Sequence, residues 1–395
     1  MPRLTKLVVA QLAATGWIDI TVKPDMGEVK ASKAGHPVNF YLGNLLHEVR
    51  RAKRSQRAAL IDRFLAGVGR TEDSIPRNYE EARSRLVPIL RTAADMGIAD
   101  LSSARMNDAA DPSQQTLRRP WLGDLVLCIA CDSPTTLAYT TEGHLEGWGR
   151  AFDEVLTDAL SNLRAMPEHP GWNEVEPGIW SGDWGDSYES SRILLPDLIH
   201  RLGVPDPVAM VPFRNSVLVT SGRNLDGVRR MGELVQRSLE NSSRWLSLEP
   251  ARLDGQVWAP YAPDEAHAEL FAGLREQGRA AYYSSQKELL DDLHKARGTD
   301  IFVAKYQHMR RGDGPLESYA VWSKGVDTLL PVVDVVVLVQ DGAEPVVSGW
   351  SDINAAAGSL MGACELVPQR VRLREFPAAA SIDALRRLQP ANAAQ

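Results

Sequence analysis

Asp334 interrupts an otherwise apolar run over residues 331–338, Pro-Val-Val-Asp-Val-Val-Val-Leu. An acid in such a run is costly to bury unless it is paired or hydrogen-bonded. Lys305, in the neighbouring expected strand over residues 301–306, is the natural partner. A pair of this kind is either a structural ion pair or an acid whose shifted pKa serves chemistry, and the structural alternative is the stronger. His294 follows Asp291 by three residues on an expected helix, so an Asp–His couple of the general-base type is geometrically open. No nucleophile accompanies it at a defined spacing. Tyr282 lies on the same helix, and Tyr283, Gln286 and Lys287 share a face, with Lys287 four residues before Asp291; this reads first as a solvated ion-pair surface. Lys305, Asp334 and His294 are therefore the candidate catalytic residues.

Arg214, Asn215 and Ser216 fall at the tip or start of an expected hairpin. Asn suits such a turn because it tolerates left-handed backbone and bonds locally. The functional alternative has Arg214 gripping an anion while Asn215 and Ser216 donate hydrogen bonds, which makes these three the candidate binding residues. Cys128 and Cys131 have the C-x-x-C spacing of redox and zinc sites. Both fall on an expected strand, whereas a redox pair wants a helix N-terminus and a zinc site needs two further ligands. Two core cysteines are expected, and no metal or cofactor. Trp172, Trp180 and Trp184 lie in a segment of little periodicity, as plugs holding a loop down or as stacking surfaces. Arg50, Arg51, Lys53, Arg54 and Arg57 form the densest basic run, without the interleaved aromatics that single-stranded nucleic acid favours. The P-loop, G-x-G-x-x-G, H-E-x-x-H and G-x-S-x-G signatures are absent, and His47-Glu48 lacks the second histidine.

The elements that must position these residues follow from apolar spacing. Residues 4–14 read as a helix, 17–23 and 28–32 as a hairpin turning at 24–27, and 37–41 as a further strand. A helical run over 42–68 and a helix then strand over 79–92 follow. Residues 125–130 are a continuous apolar strand, 136–140 its return, and Leu145, Trp148, Phe152, Val155, Leu156, Ala159, Leu160 and Leu163 mark a helix face. The same order, strand 208–212, strand 216–220 and helix 225–239, returns about 80 residues later and suggests a structural duplication. A weaker third member pairs 300–306 with 319–322. Residues 264–295 form a long helix expected to break near Gly278. Residues 332–339 read as a central strand, 366–376 as another and 381–388 as a terminal helix. The fold class is α+β: duplicated β-hairpin–helix units forming largely antiparallel sheets with helices packed on them.

Several blocks in this order resemble a known family. Ser133-Pro134-Thr135-Thr136, Trp148-Gly149 and Ala159-Leu160-Ser161-Asn162-Leu163 are similar to the YtpQ-like bacterial family of proteins of unknown function. So are Asn215 to Ser221, Tyr283 to Lys287, Asp300 to Ala304, and Trp322 to Pro331 with Asp334. The resemblance covers residues 122–338 and implies no activity, so no residue inherits a catalytic role from it. The N-terminal 120 residues match more loosely, and residues 167–191 have no counterpart.

Composition bounds the rest. The 395 residues, 44% hydrophobic and 24% charged, are ordinary for a globular protein of two or three domains. No apolar run approaches a membrane span, and mean hydropathy is −0.24. Three cysteines do not make a disulfide framework, and a cytoplasmic location is expected. Residues 1–120 carry 19 basic against 13 acidic side chains and residues 121–395 carry 25 against 38, which together give the net −7. Neither balance is extreme enough to declare a nucleic-acid or membrane partner. The expected layout is an α+β region over 1–105 with a basic balance, a linker or exposed loop over 106–120, an α+β core over 121–378 resembling the family, and a short helix and tail over 379–395. The expected function is a non-catalytic partner-binding or scaffold protein. A metal-independent hydrolase or transferase is the alternative, and RNA association a weaker one.

Overall fold

The computed structural model describes residues 2–23, 28–33, 36–42, 45, 49, 57–67, 75–106, 115–133, 137–168, 171–239, 245–310 and 314–388. The expected turn at 24–27, the basic residues Arg50 to Arg54, most of the polar stretch 106–120 and the tail after Leu388 lie outside them. Two compact units emerge, residues 1–89 with 128–166, and residues 90–127 with 167–395.

In the first unit, helix Pro2–Ala14 is followed by the antiparallel strands Ile18–Lys23, Glu28–Lys33 and His36–Tyr41, and by helix Arg57–Gly67. Leu4, Val8 and Leu12 recur every four residues, so one helix face closes on Val29 and Phe40 of the sheet and Ile61 and Leu65 of the second helix. The first hairpin–helix unit pairs Ala130 with Tyr139. Its expected single helix is two, Glu142–Trp148 and Phe152–Ala165. Gly149 takes left-handed backbone at φ 62° and stops the first, and Glu154 caps the second through the Ala151 amide. Cys128 and Cys131 are buried on strand Leu125–Asp132 and form no disulfide, and burial pushes the Cys131 thiol up.

The second unit carries a six-stranded antiparallel sheet, in spatial order Val257–Pro260, Ala251–Asp254, Pro207–Met210, Leu218–Ser221, Ile179–Asp183 and Gly171–Glu176. The second hairpin–helix unit is its centre, with Val208 opposite Thr220. Val228, Met231, Val235 and Leu239 of helix Leu225–Leu239 cover Val208, Met210 and Leu218, and Phe271 and Leu274 of a second helix join them. The tryptophan segment forms the hairpin Gly171–Glu176 with Ile179–Asp183. The Trp172 and Trp184 rings meet edge to face at 5.1 Å.

Two four-stranded sheets complete the unit. One is ordered Gln307–Arg310, Leu316–Ser323, Val335–Val339, Val346–Gly349, and the other Phe302–Val303, Thr328–Pro331, Arg370–Leu373, Met361–Ala363. The third hairpin is therefore drawn differently from the expectation. Phe302 and Val303 pair in parallel with Thr328 and Leu329, and Tyr319 faces Gln307. The apolar run over 332–339 becomes a strand only from Val335, because Asp334 stands at the bend before it. The fold is α+β, with largely antiparallel sheets and helices packed on them.

Helix Ala268–Arg297 runs unbroken through Gly278, whose missing Cβ would stand 3.4 Å from Leu248 and from Trp245. The glycine serves close packing there rather than ending the helix. This long helix carries most of the ionisable groups described next.

Candidate functional site

Glu276, Tyr283, Gln286 and Leu290 recur along the long helix at spacings of seven, three and four, so a buried stripe of that helix contains an acid and an amide. Glu276 is only 5% exposed, and its environment is built to hold a charge. Tyr306 donates its hydroxyl to Glu276 Oε2 at 2.5 Å, and Arg279 donates Nη1–H to Oε1 at 3.2 Å. His308 Nε2 stands 3.5 Å from Oε2, buried and without a hydrogen-bond partner. Burial, then the bond to the Glu276 carboxylate, pushes the Tyr306 hydroxyl well up; Ser318 opposes that rise. The Tyr306 ring stacks on Tyr283 with centroids 4.7 Å apart.

One turn further on, Gln286 meets Arg370, which is completely buried. Arg370 donates Nε–H to Gln286 Oε1 at 2.7 Å, Nη1–H to the carbonyls of Ala304 at 2.8 Å and Leu329 at 3.1 Å, and Nη2–H to the Tyr283 carbonyl at 3.3 Å. Burial brings its pKa down to about 10, with Tyr283 and Asp291 opposing. These bonds tie the long helix to the sheet beneath it.

Another face of the helix carries Tyr282. Thr92 Oγ1 donates to its hydroxyl at 3.1 Å and accepts the Asp95 amide at 3.0 Å, starting helix Ala93–Met106. Burial first, and Asp95 next, push the Tyr282 hydroxyl far up. Asp124 belongs to the same neighbourhood. It sits in the turn between strands Arg118–Leu122 and Leu125–Asp132, and Ser247 Oγ donates to its Oδ1 at 2.9 Å. Burial of the carboxylate, reinforced by the Glu249 charge, pushes Asp124 up to about 6, against the Ser247 bond and Arg279. The residue as a whole is exposed at the turn, and solvent there limits how far desolvation acts. A cavity of about 20 Å³ lies beside it, lined by Asp124, Ser247 and Glu249 among apolar side chains. That is space for a water molecule rather than a substrate.

Of the residues singled out from sequence, Asp334 does not meet Lys305. Its Oδ2 accepts both the amide of Ser318 at 2.8 Å and its hydroxyl at 2.6 Å, and no ion pair joins it to Lys305, whose side chain is exposed. The apolar run suggested a buried acid in want of a cation; at the bend, hydrogen bonds from Ser318 satisfy it instead. Lys287 pairs with Asp291 at 2.7 Å, as the four-residue spacing implies. His294 turns away from Asp291, and its Nδ1 lies 3.1 Å from the Ile301 carbonyl. Lys305, Asp334 and His294 thus have separate surroundings. Arg214 and Asn215 are exposed in a turn closed by the Ser216 amide on the Phe213 carbonyl at 3.1 Å, with Ser216 half-buried. Arg214 is 47% exposed and 3.7 Å from Asp95.

Asp124, Ser247, Glu276, His308 and Arg370 were not singled out from sequence. Glu276 was legible in principle, since it falls on the buried stripe with Tyr283 and Gln286. Asp124 and Ser247 are far apart along the chain and carried no spacing signal. Among the described residues no group of three or more His, Cys, Asp or Glu side chains is arranged to hold a metal ion, and no helix is long and apolar enough to cross a membrane. Comparison with family models, curated proteins and solved structures finds no match for this chain.

Proposed function

We propose that this is a non-catalytic partner-binding protein, and that the turn Arg214–Asn215–Ser216 takes a carboxylate of the partner. The observation that carries this reading is the contrast between the turn and the interior. Inside, Glu276 is engaged by protein donors and the cavity at Asp124 has room only for water, while Asp334, exposed at its bend, is already satisfied by Ser318. Outside, Arg214 is held on a fixed turn and is 47% exposed, with Asp95 approaching it at 3.7 Å. A preorganised turn presenting a guanidinium and an amide suits bidentate recognition of a carboxylate. The resemblance to the YtpQ-like family and a cytoplasmic setting are compatible with this reading.

A metal-independent hydrolase or transferase is the second reading, favoured by Asp124, whose pKa near 6 suits a general acid. One experiment separates the two. Quantitative affinity capture compares the wild type with Arg214→Glu and Asp124→Asn, each checked for an unchanged melting temperature. Partner binding requires a protein retained by wild type and Asp124→Asn and reduced about tenfold or more by Arg214→Glu. Capture indifferent to Arg214→Glu overturns this assignment of the turn. Turnover of a metabolite mixture that disappears in Asp124→Asn replaces binding with catalysis.

A further inference from the structure

Just ahead of helix Ala268–Arg297 the chain turns so that an aspartate and a histidine three residues apart face each other. Asp264 accepts the His267 amide twice, on its carbonyl at 3.1 Å and on Oδ1 at 3.2 Å. The same Oδ1 lies 2.5 Å from His267 Nδ1. An ionised carboxylate can only accept, so Nδ1 carries the ring proton and the lone pair is left on Nε2. That nitrogen has no partner among the described residues and is not one of the buried ones, the side chain being 17% exposed. The ring is also free of any capping bond to the helix it precedes. Other described histidine rings are used differently. His144 Nδ1 is bound into a capping box, His294 Nδ1 meets the Ile301 carbonyl, His200 Nε2 meets the Gly255 carbonyl, and His308 has its Nε2 buried. An imidazole oriented by a carboxylate at one nitrogen and open at the other is equipped to act as a nucleophile.

We propose that His267 is a phosphoryl-acceptor site, whose Nε2, oriented by Asp264, takes a phosphoryl group from an N-phosphoryl donor. The Nε2 lone pair attacks phosphorus and the donor's P–N bond breaks, its electron pair leaving with the amine; from phosphoramidate this is ammonia. The new N–P bond leaves the ring cationic, with its Nδ1–H facing the Asp264 carboxylate. Asp264 thus gains a charge partner as the bond forms, which a carbonyl behind the ring would not supply to the same degree. The position also suits the group transferred. A phosphoryl on Nε2 stands beside the first turn of a 30-residue helix, where the macrodipole favours negative charge. Glu269, the acid of that turn, is drawn to Arg310 at 2.6 Å. Glu265, exposed in the preceding turn, is the like charge that opposes the transfer.

Phosphoramidate is the probe. The full-length chain is incubated with it at neutral pH, and acid-labile phosphoryl adducts are assigned to individual histidines by mass spectrometry. The exposed ring of His200 serves as the internal control. His267 should be modified first, and Asp264→Asn should slow it by about tenfold or more while His200 keeps its rate. The asparagine amide can donate to Nδ1, which moves the ring proton to Nε2 and takes away the nucleophile. Ring ¹⁵N NMR of the wild type tests the premise without any substitution. It should show the neutral ring protonated at Nδ1, with the Nε2 signal changing on phosphorylation. Modification of His267 no faster than of His200, a rate indifferent to Asp264→Asn in the folded variant, or a neutral ring protonated at Nε2 would each overturn the assignment.

Discussion

At the scale of single residues, the two most consequential ionisable groups are treated in opposite ways. Arg370 is buried with its charge spread over a glutamine and three backbone carbonyls. Replacing it by methionine keeps much of the volume but takes this donor from Gln286 Oε1 and the Ala304 carbonyl, while the Leu329 carbonyl keeps the Ala304 amide; a buried acceptor left unpaired costs about 1–3 kcal/mol. Arg370→Met should therefore lower stability by about 3 kcal/mol or more, read as a lower urea midpoint at unchanged slope. Asp124 has the reverse sign. Its folded-state pKa is raised to about 6, so the folded chain holds this proton to higher pH than the unfolded one. The stability it contributes is complete below about pH 4 and is lost as pH rises toward 6 and beyond. Asp124→Asn should accordingly melt about 1–3 °C above wild type at pH 7.5 and converge with it at pH 4. Equal melting temperatures at both pH values would deny the carboxylate any burden on the fold.

At the scale of elements, legibility followed how one-sided the burial is. Helix Leu225–Leu239 announces itself because Val228, Met231, Val235 and Leu239 fall on one stripe of an otherwise polar segment. The hairpin Gly171–Asp183 did not, because most of its side chains are exposed or half-buried and its apolar residues do not alternate. What holds it is a contact between elements: Gly182 lies directly under the Trp184 ring, and its missing Cβ would stand 2.7 Å from Val217 Cγ1. No periodicity in one strand carries that information. Gly182→Ala should expel the ring, destabilise this sheet by about 2 kcal/mol and shift tryptophan emission to longer wavelength; unchanged emission would mean the ring is accommodated elsewhere. The candidate site has the same limitation. Glu276 could be read from its helix, whereas Asp124, Ser247 and Glu249 come from a turn and a connecting segment that only the folded sheet brings together.

At the scale of the whole molecule, net charge acts against the carboxylate-bearing partner proposed for the Arg214 turn. The chain carries a net −7, and residues 121–395 alone carry −13, by subtraction of 38 acidic from 25 basic side chains. A partner bearing carboxylates is repelled at long range and attracted only within reach of Arg214. Salt weakens both, since the Debye length is about 10 Å at 0.1 M. The screened repulsion and the screened contact therefore oppose one another. The affinity of a captured partner should change by less than about threefold between 50 and 300 mM salt, measured by titration calorimetry. Association with RNA through the basic N-terminal region would instead release counterions and fall steeply over the same range, by orders of magnitude for several phosphate contacts. A steep fall that survives Arg214→Glu would move recognition away from the turn and to that region. A flat response abolished by Arg214→Glu keeps it at the turn, with the acidic surround favouring weak, readily exchanged complexes.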